Sequence, residues 1–278
     1  MKIKRDGMNK YMADTIDHAE TGESRIQLSA RLQAVADLVS EGSRVADIGT
    51  DHGFVPIYLI RSQRASACIA MDVRRGPLAR AGEHIGENGL KDVIRTRLSD
   101  GLSALQQGEA DTIICAGMGG RLMQRILREG KPQSLGIQEM ILQPQSELME
   151  FRRYLRESGC LFLQEEIVTE DGKYYPMMKV KLMPEPVQAP YGIFPEELAD
   201  ITGCSSEEAL RVCDRFGALL LEKRASALHQ YLLHGDEVCD TILSKISAEV
   251  HPERYAEVAA EKEDIQTALV WYGNGQVR

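Results

Sequence analysis

Residues 45–54 read VADIGTDHGF. An apolar run ends in a carboxylate, turns through Gly49 and Gly53, and regains apolar character in FVPIYLIRSQ (54–63). Strand, glycine turn and helix in that order open a nucleotide-binding α/β unit. The turn departs from the dinucleotide pattern at one place, because Asp51 and His52 stand between its glycines. Dinucleotide folds keep this turn bare so that backbone N–H groups can meet a pyrophosphate. A carboxylate there would repel a phosphate by about 4 kcal/mol, for unit charges at ~4 Å and an effective dielectric of ~20. The fold signal is strong and the phosphate signal is weak.

Outward from this turn, strand-like and helix-like segments alternate. An amphipathic helix precedes it at 26–40, with Leu28, Leu32, Val35, Leu38 and Val39 at helical spacing. ACIAMDV (67–73) reads as the second strand and GPLARAGEHIGENG (76–89) as a helix opened by Pro77. VIRTRLSDG, DTIICAGMGG and EMILQPQ read as three more strands, the latter two followed by the helices RLMQRILREG and SELMEFRRYLRESG. Ser146 is the expected N-cap of the last helix. LFLQEEIVT and KYYPMMKVKLM, joined by EDG, predict an antiparallel hairpin. Five β–α repeats imply a doubly wound, mostly parallel sheet covered on both faces. The closing hairpin is the mark of the class I, Rossmann-like methyltransferase variant of that architecture.

Composition narrows the class further. The 278 residues carry a net charge of -9, unevenly spread: 16 acids face 8 bases in residues 191–278, and 26 face 25 in the rest. The acidity belongs to the C-terminal part, so a local basic patch and RNA binding stay open. The six cysteines show no CxxC pair and no metal-ligand spacing, which favours reduced core thiols in a cytoplasmic protein and no metal site. Nothing reads as a membrane span, and MKIKRDGMNKYM lacks the apolar segment of a secretory signal. Four prolines in PEPVQAPYGIFP (184–195) mark a linker, beyond which apolar residues recur at helical spacing and predict a coiled-coil-like helical unit.

The strand ends carry the chemistry. S-adenosylmethionine has no phosphate and bears a sulfonium and an ammonium, which Asp47 and Asp51 would favour while helix-start N–H groups receive its carboxylate. The plainer alternative is that Asp51 caps the following helix and His52 is a bystander. Asp72 ends the second strand, where an acid commonly accepts the ribose hydroxyls. Asp100 and Gly101 end the third, where an adenine amino group can be bound, and AGMGG (116–120) ends the fourth. Enzymes acting on exocyclic amines place acceptor side chains at this last position; Gly117, Gly119 and Gly120 offer none. A ring nitrogen has an in-plane lone pair and needs positioning more than deprotonation. Asp51, His52 and Gln143 are the candidates for facing it; close packing alone would equally explain the glycines.

These stretches resemble the bacterial tRNA (adenine-22-N1)-methyltransferases, the TrmK family. LSARLQAVADLV, VADIGTDHGFVPIYL, MDVRRGPLARAGEHIGENGL, LSDGL, ICAGMGG, ILQPQ and EDGKYY carry the resemblance over about residues 27–180. It implies a methyltransferase domain at 25–186 and a helical C-terminal domain at 187–278, after a polar leader at 1–24 that lies outside the resemblance. It implies S-adenosyl-L-methionine held by Asp47, Gly49, Asp51, His52 and Gly53, with Asp72 on the ribose and Asp100 with Gly101 near adenine. Arg31 is implied at the cofactor carboxylate, and Ala116, Gly117 and Met118 beside the ligand. The implied reaction is methyl transfer to adenine N1 in tRNA, with a monomer favoured.

Adenine N1 lies on the pairing edge, so the base must be unpaired or swung out. Candidate phosphate contacts are Arg74, Arg75, Arg121 and Arg153, with Arg125, Arg128, Arg152 and Arg156 as further members of the set. Only part of this set is expected to touch RNA, because arginine-rich helix faces are usually solvated. Tyr174 and Tyr175 offer a stacking face or a share of the core. The alternatives are a methyltransferase acting on another RNA or a small molecule, and a non-catalytic RNA-binding module.

Overall fold

The computed structural model describes residues 16–17, 25–185 and 187–274. Most of the polar leader at 1–24 lies outside the described residues. Two short strands, β1 (Ile16–Asp17) and β2 (Arg25–Ile26), pair antiparallel ahead of α1 (Ala30–Asp37). That helix is shorter than the periodic stretch because Ser29 caps it, its hydroxyl accepting from Leu32 N. The α/β unit then runs β3 (Ser43–Ile48), α2 (Phe54–Arg61), β4 (Ala65–Asp72), α3 (Arg75–Glu87), β5 (Ile94–Leu98), β6 (Thr112–Met118), α4 (Gly120–Gly130), β7 (Glu139–Pro144) and α5 (Leu148–Glu157). The hairpin β8 (Leu161–Glu170) and β9 (Lys173–Lys181) closes it.

The seven strands order as β5-β4-β3-β6-β7-β9-β8, parallel except for β9, which pairs antiparallel with both β7 and β8. The chain reverses direction across the sheet between β3 and β6. Brief apolar strands buried on both faces explain the parallel core: Val45, Ala46, Ile113, Ile114, Met140 and Ile141 are all essentially inaccessible. Ser146 does not cap α5. The cap position is Glu147, in a left-handed conformation (φ 50°), and no side chain bonds the first turn.

The C-terminal residues form α6 (Phe194–Thr202), α7 (Ser206–Phe216), α8 (Ala218–Glu222), α9 (Ser226–Leu243) and α10 (Pro252–Gly273). A capping box between Ser205 and Glu208 starts α7. The long pair α9 and α10 lies antiparallel, since Ala225 meets Tyr272 at one end and Asp240 meets Lys262 toward the other. The proline-rich segment does not separate two cores. Phe162 of β8 packs at a tilt against Tyr191 at 4.7 Å, Phe194 meets Trp271 at 5.0 Å, and one apolar cluster runs from the sheet into all five helices. Helices α8 and α9 thereby cover the otherwise open edge at β8.

Candidate cofactor and substrate site

The reversal between β3 and β6 opens a crevice outside the carboxyl ends of the strands, where α/β sheets bind ligands. The turn after β3 is fastened to β4, because the N–H groups of Gly49 and Thr50 both reach Met71 O, at 2.8 and 2.9 Å. Gly49 has φ 83°, and a Cβ there would collide with Met118 Cε, so this turn and the β6 loop pack backbone against side chain.

Two buried carboxylates flank the turn. Asp47 is the penultimate residue of β3, with no cation beside it among the described residues; burial, helped by the charge of Asp72, pushes its carboxyl up to about 6 against a bond from Thr50. Asp72 ends β4, its Oδ1 accepting from Arg74 N at 2.7 Å, and no hydrogen bond among the described residues engages Oδ2. Val73 (60% exposed) and Leu98 (43%) leave an apolar rim that a flat heterocycle would cover. Asp100 lies two residues past β5, gripped by Arg125 of α4 at 2.9 and 3.3 Å, which holds its carboxyl below the ordinary range. Gly101 beside it is buried against Ile126.

The Asp51-His52 pair is arranged differently from the sequence reading. Gly53, not Asp51, occupies the cap position of α2. The exposed Asp51 carboxylate meets Arg80 of α3 at 2.6 Å and His52 Nε2 at 3.4 Å. Its charge is therefore shared within the protein, and Asp47 is the carboxylate left without a cation. The His52 side chain is packed against its neighbours. Its ring stacks with Phe54 and His84 at 5.2 and 5.6 Å, its carbonyl accepts from His84 Nδ1, and its own Nδ1 is buried without a partner.

At the end of β6, Ala116 pairs with Gln143 and Met118 with Pro144, which leaves Gly117 as a bulge with φ 78°. Gln143 is wholly buried beneath it. Its Oε1 accepts from Gly117 N and from Arg31 Nη1, both at 3.1 Å, and its Nε2 donates to Pro144 O at 3.2 Å. A residue expected to face the target base thus locks the loop and Arg31 in place from below. Arg31 also lies over the Tyr175 ring at 5.6 Å, and Tyr174 packs edge-on against Tyr231. Gln145, two residues on, was not singled out in the sequence. Its position in QPQ, just past the strand end, was the available signal.

Of the arginines, Arg74 (71% exposed) and Arg121 (86%) project from the carboxyl edge, and Arg75 is exposed beside them. Arg121 reaches Glu147 at 3.7 Å. Arg152 is no RNA contact: it is buried, with Nε 2.7 Å from Glu165 Oε1. Arg156 and Arg153 both turn toward the buried Asp214, at 2.9 and 3.6 Å. Among the described residues no cluster of three or more His, Cys, Asp or Glu side chains could hold a metal ion, and no helix is long and apolar enough to cross a membrane.

An antiparallel β9 inserted beside β7, with acids at the ends of β3 and β4, defines a class I methyltransferase domain. Residues 28–178 match the family described as a methyltransferase domain. The chain is 38% identical over 155 residues to the Bacillus subtilis tRNA (adenine(22)-N(1))-methyltransferase; the aligned part is 56% of this chain and spans 65% of that relative's length. It superposes with a TM-score of 0.68 and 30% identity on the crystal structure of B. subtilis TrmK, covering 87% of this chain and 98% of that one. A Streptococcus pneumoniae protein, described as a candidate tRNA (m1A22) methyltransferase in complex with S-adenosyl-L-methionine, gives a TM-score of 0.71 at 28% identity, covering 87% and 100%. The chain belongs to the methyltransferase-domain family, in its TrmK branch.

Proposed function

We propose that the protein transfers a methyl group from S-adenosyl-L-methionine to N1 of adenine 22 in tRNA. The observation that carries this reading is the pair of buried carboxylates Asp47 and Asp72 at adjacent strand ends, flanking a glycine turn that no side chain caps. Such a donor set suits a ligand with hydroxyls and positive charge and no phosphate. It agrees with the activity named for the Bacillus relative and the cofactor bound by the Streptococcus one.

The residues fit that cofactor. Asp72 would accept the ribose hydroxyls through its free Oδ2, and Asp100 with Val73 and Leu98 would border the adenine ring. Asp47 would balance the cationic groups through the turn of Gly49 and Gly53, and Arg31 would offer its remaining guanidinium donors to the carboxylate. Asp51 and His52 line the mouth, and Ala116, Gly117 and Met118 form the wall toward the substrate. S-adenosyl-L-methionine supplies a methyl group on a sulfonium centre. The chain's part is to hold, orient and exclude water. Gln143 is a positioning residue, since each of its bonds fixes Gly117, Arg31 or Pro144. Transfer to N1 needs no general base, because the lone pair already lies in the ring plane.

The target adenine must leave its stack, at about a few kcal/mol. Arg74, Arg75 and Arg121 are placed to grip the flanking phosphates, with Arg153 a weaker candidate because it is less exposed, beside the buried Asp214. We assign the chemistry to residues 25–186 and a bracing role to 187–278, in a monomer acting in the cytoplasm. Incubation with methyl-labelled cofactor and unmodified bacterial tRNA, followed by nucleoside mass spectrometry, tests the reading. N1-methyladenosine is expected and should vanish when adenine 22 is replaced; methylation of another position would overturn it.

A further inference from the structure

We propose that Gln145 reads the target base, its carboxamide pairing with the N6 and N7 atoms of adenine and leaving N1 open to the methyl group. This rests on the reaction proposed above and names a residue that specifies its substrate. Gln145 is the first residue after β7, and its backbone N donates to Met118 O at 2.9 Å, which pins its Cα to the β6 loop. Its Nε2 lies 3.8 Å from where a Cβ on Gly117 would stand, and Arg31 Nη1 lies 3.7 Å from the same point. The exposed Gly117 is thus a floor without a side chain, bordered by a guanidinium and an amide.

The polar groups around this floor differ in what they have left to offer. Gln143 has both amide ends engaged, Arg31 is tied to Gln143 and lies against Tyr175, and Glu147 is taken by Ser146 and Arg121. Met118, Gly119 and Gly120 contribute no polar side chain. Among the described residues no hydrogen bond engages the Gln145 amide, which is exposed to solvent. It is the uncommitted donor–acceptor pair at this edge.

A carboxamide presents a donor and an acceptor side by side, which matches the N7 acceptor and N6 amino donor of adenine. Guanine offers two acceptors along the same edge, so the pairing also rejects it. The other adenine edge suited to an amide runs through N6 and N1, and using it would cover the attacking nitrogen. Only the N6/N7 edge is compatible with transfer.

The test uses the full chain, saturating cofactor and tRNA carrying adenosine, 7-deazaadenosine or purine riboside at the target position. Wild-type protein should lose roughly 10- to 100-fold in kcat/KM on either analogue, the range expected for one bidentate base contact. Gln145→Ala should lose a similar factor on adenosine, and its further loss on the analogues should shrink to roughly threefold or less, because the contact is already gone. Cofactor affinity by calorimetry should stay at the wild-type value, which a merely misfolded variant would not show. A Gln145→Ala protein that discriminates the analogues as wild type does, or methylates adenosine at the wild-type rate, overturns the inference while leaving the reaction standing. Absence of N1-methyladenosine with wild-type protein overturns the reaction itself, and this inference with it.

Discussion

The carboxyl edge of the sheet and the seam between α5, β8 and α7 both gather polar groups, and they dispose of them in opposite ways. In the seam, Arg152 meets Glu165 and the Arg215 carbonyl, Glu165 accepts from Leu219 N, and Asp214 accepts from Arg156 and the Tyr191 hydroxyl at 2.7 Å. Nearby, Asp264 accepts from Arg211 and Arg215, each at 2.8 Å. Apart from Arg152 Nη2, the seam's charges find their partners within the chain. At the sheet edge, among the described residues, Asp47 lacks a cation, Asp72 meets Arg74 through Oδ1 only, and no hydrogen bond engages the Gln145 amide. A polar cluster that satisfies itself joins parts of a protein. One that leaves partners to be supplied from outside is built for ligands.

That contrast can be broken by experiment. Arg152→Ala should destabilise the fold by about 3–5 kcal/mol, because Glu165 is left charged and buried. Denaturant titration measures it, and a loss below about 1 kcal/mol would remove the seam's structural role. Asp72→Ala should act the other way round, weakening cofactor binding by about 100-fold, as two charge-assisted hydrogen bonds require, with a much smaller change in stability. Unchanged affinity in calorimetry would show that the free oxygen has no ligand.

Asp47 links the two kinds of behaviour. Its folded carboxyl stands at about 6, above the ordinary 3.8, so the folded state favours the proton. That contribution is fully present below about pH 3.8 and is lost as pH rises through about 6, on the order of 2–3 kcal/mol. Asp47→Asn should therefore raise the stability of the ligand-free protein at pH 7, flatten its pH dependence between these values, and weaken cofactor binding. Melting curves across this pH range decide it; equal slopes for both proteins would contradict the burial argument. The smallest effect is expected from Arg75→Glu with Arg121→Glu. The KM for tRNA should rise about tenfold and the salt dependence of binding should lose a slope of about two, with cofactor affinity spared.

The parts legible in the chain were those set by neighbours in sequence. Alternating apolar runs placed every strand of the sheet within a few residues, and the spacing of Asp47, Asp72 and Asp100 put each acid at or just past a strand end. The glycine turn with its intruding acid spoke against phosphate through Asp51; the structure pairs Asp51 with Arg80 and moves the uncompensated charge to Asp47. What the chain could not disclose was who partners whom. Arg152 and Arg153 are adjacent and read alike, yet one is buried against Glu165 and the other half-exposed. Gln143 and Gln145 are two residues apart, and the first is consumed by Arg31 across 112 positions of sequence while the second is left free. Periodicity and turn chemistry are local, so the sequence by itself determined the architecture and the placement of acids around the strand ends. Burial and charge pairing arise only when distant segments pack, so the tertiary structure alone decided which polar groups are spent on the fold and which stay unpaired at the sheet edge.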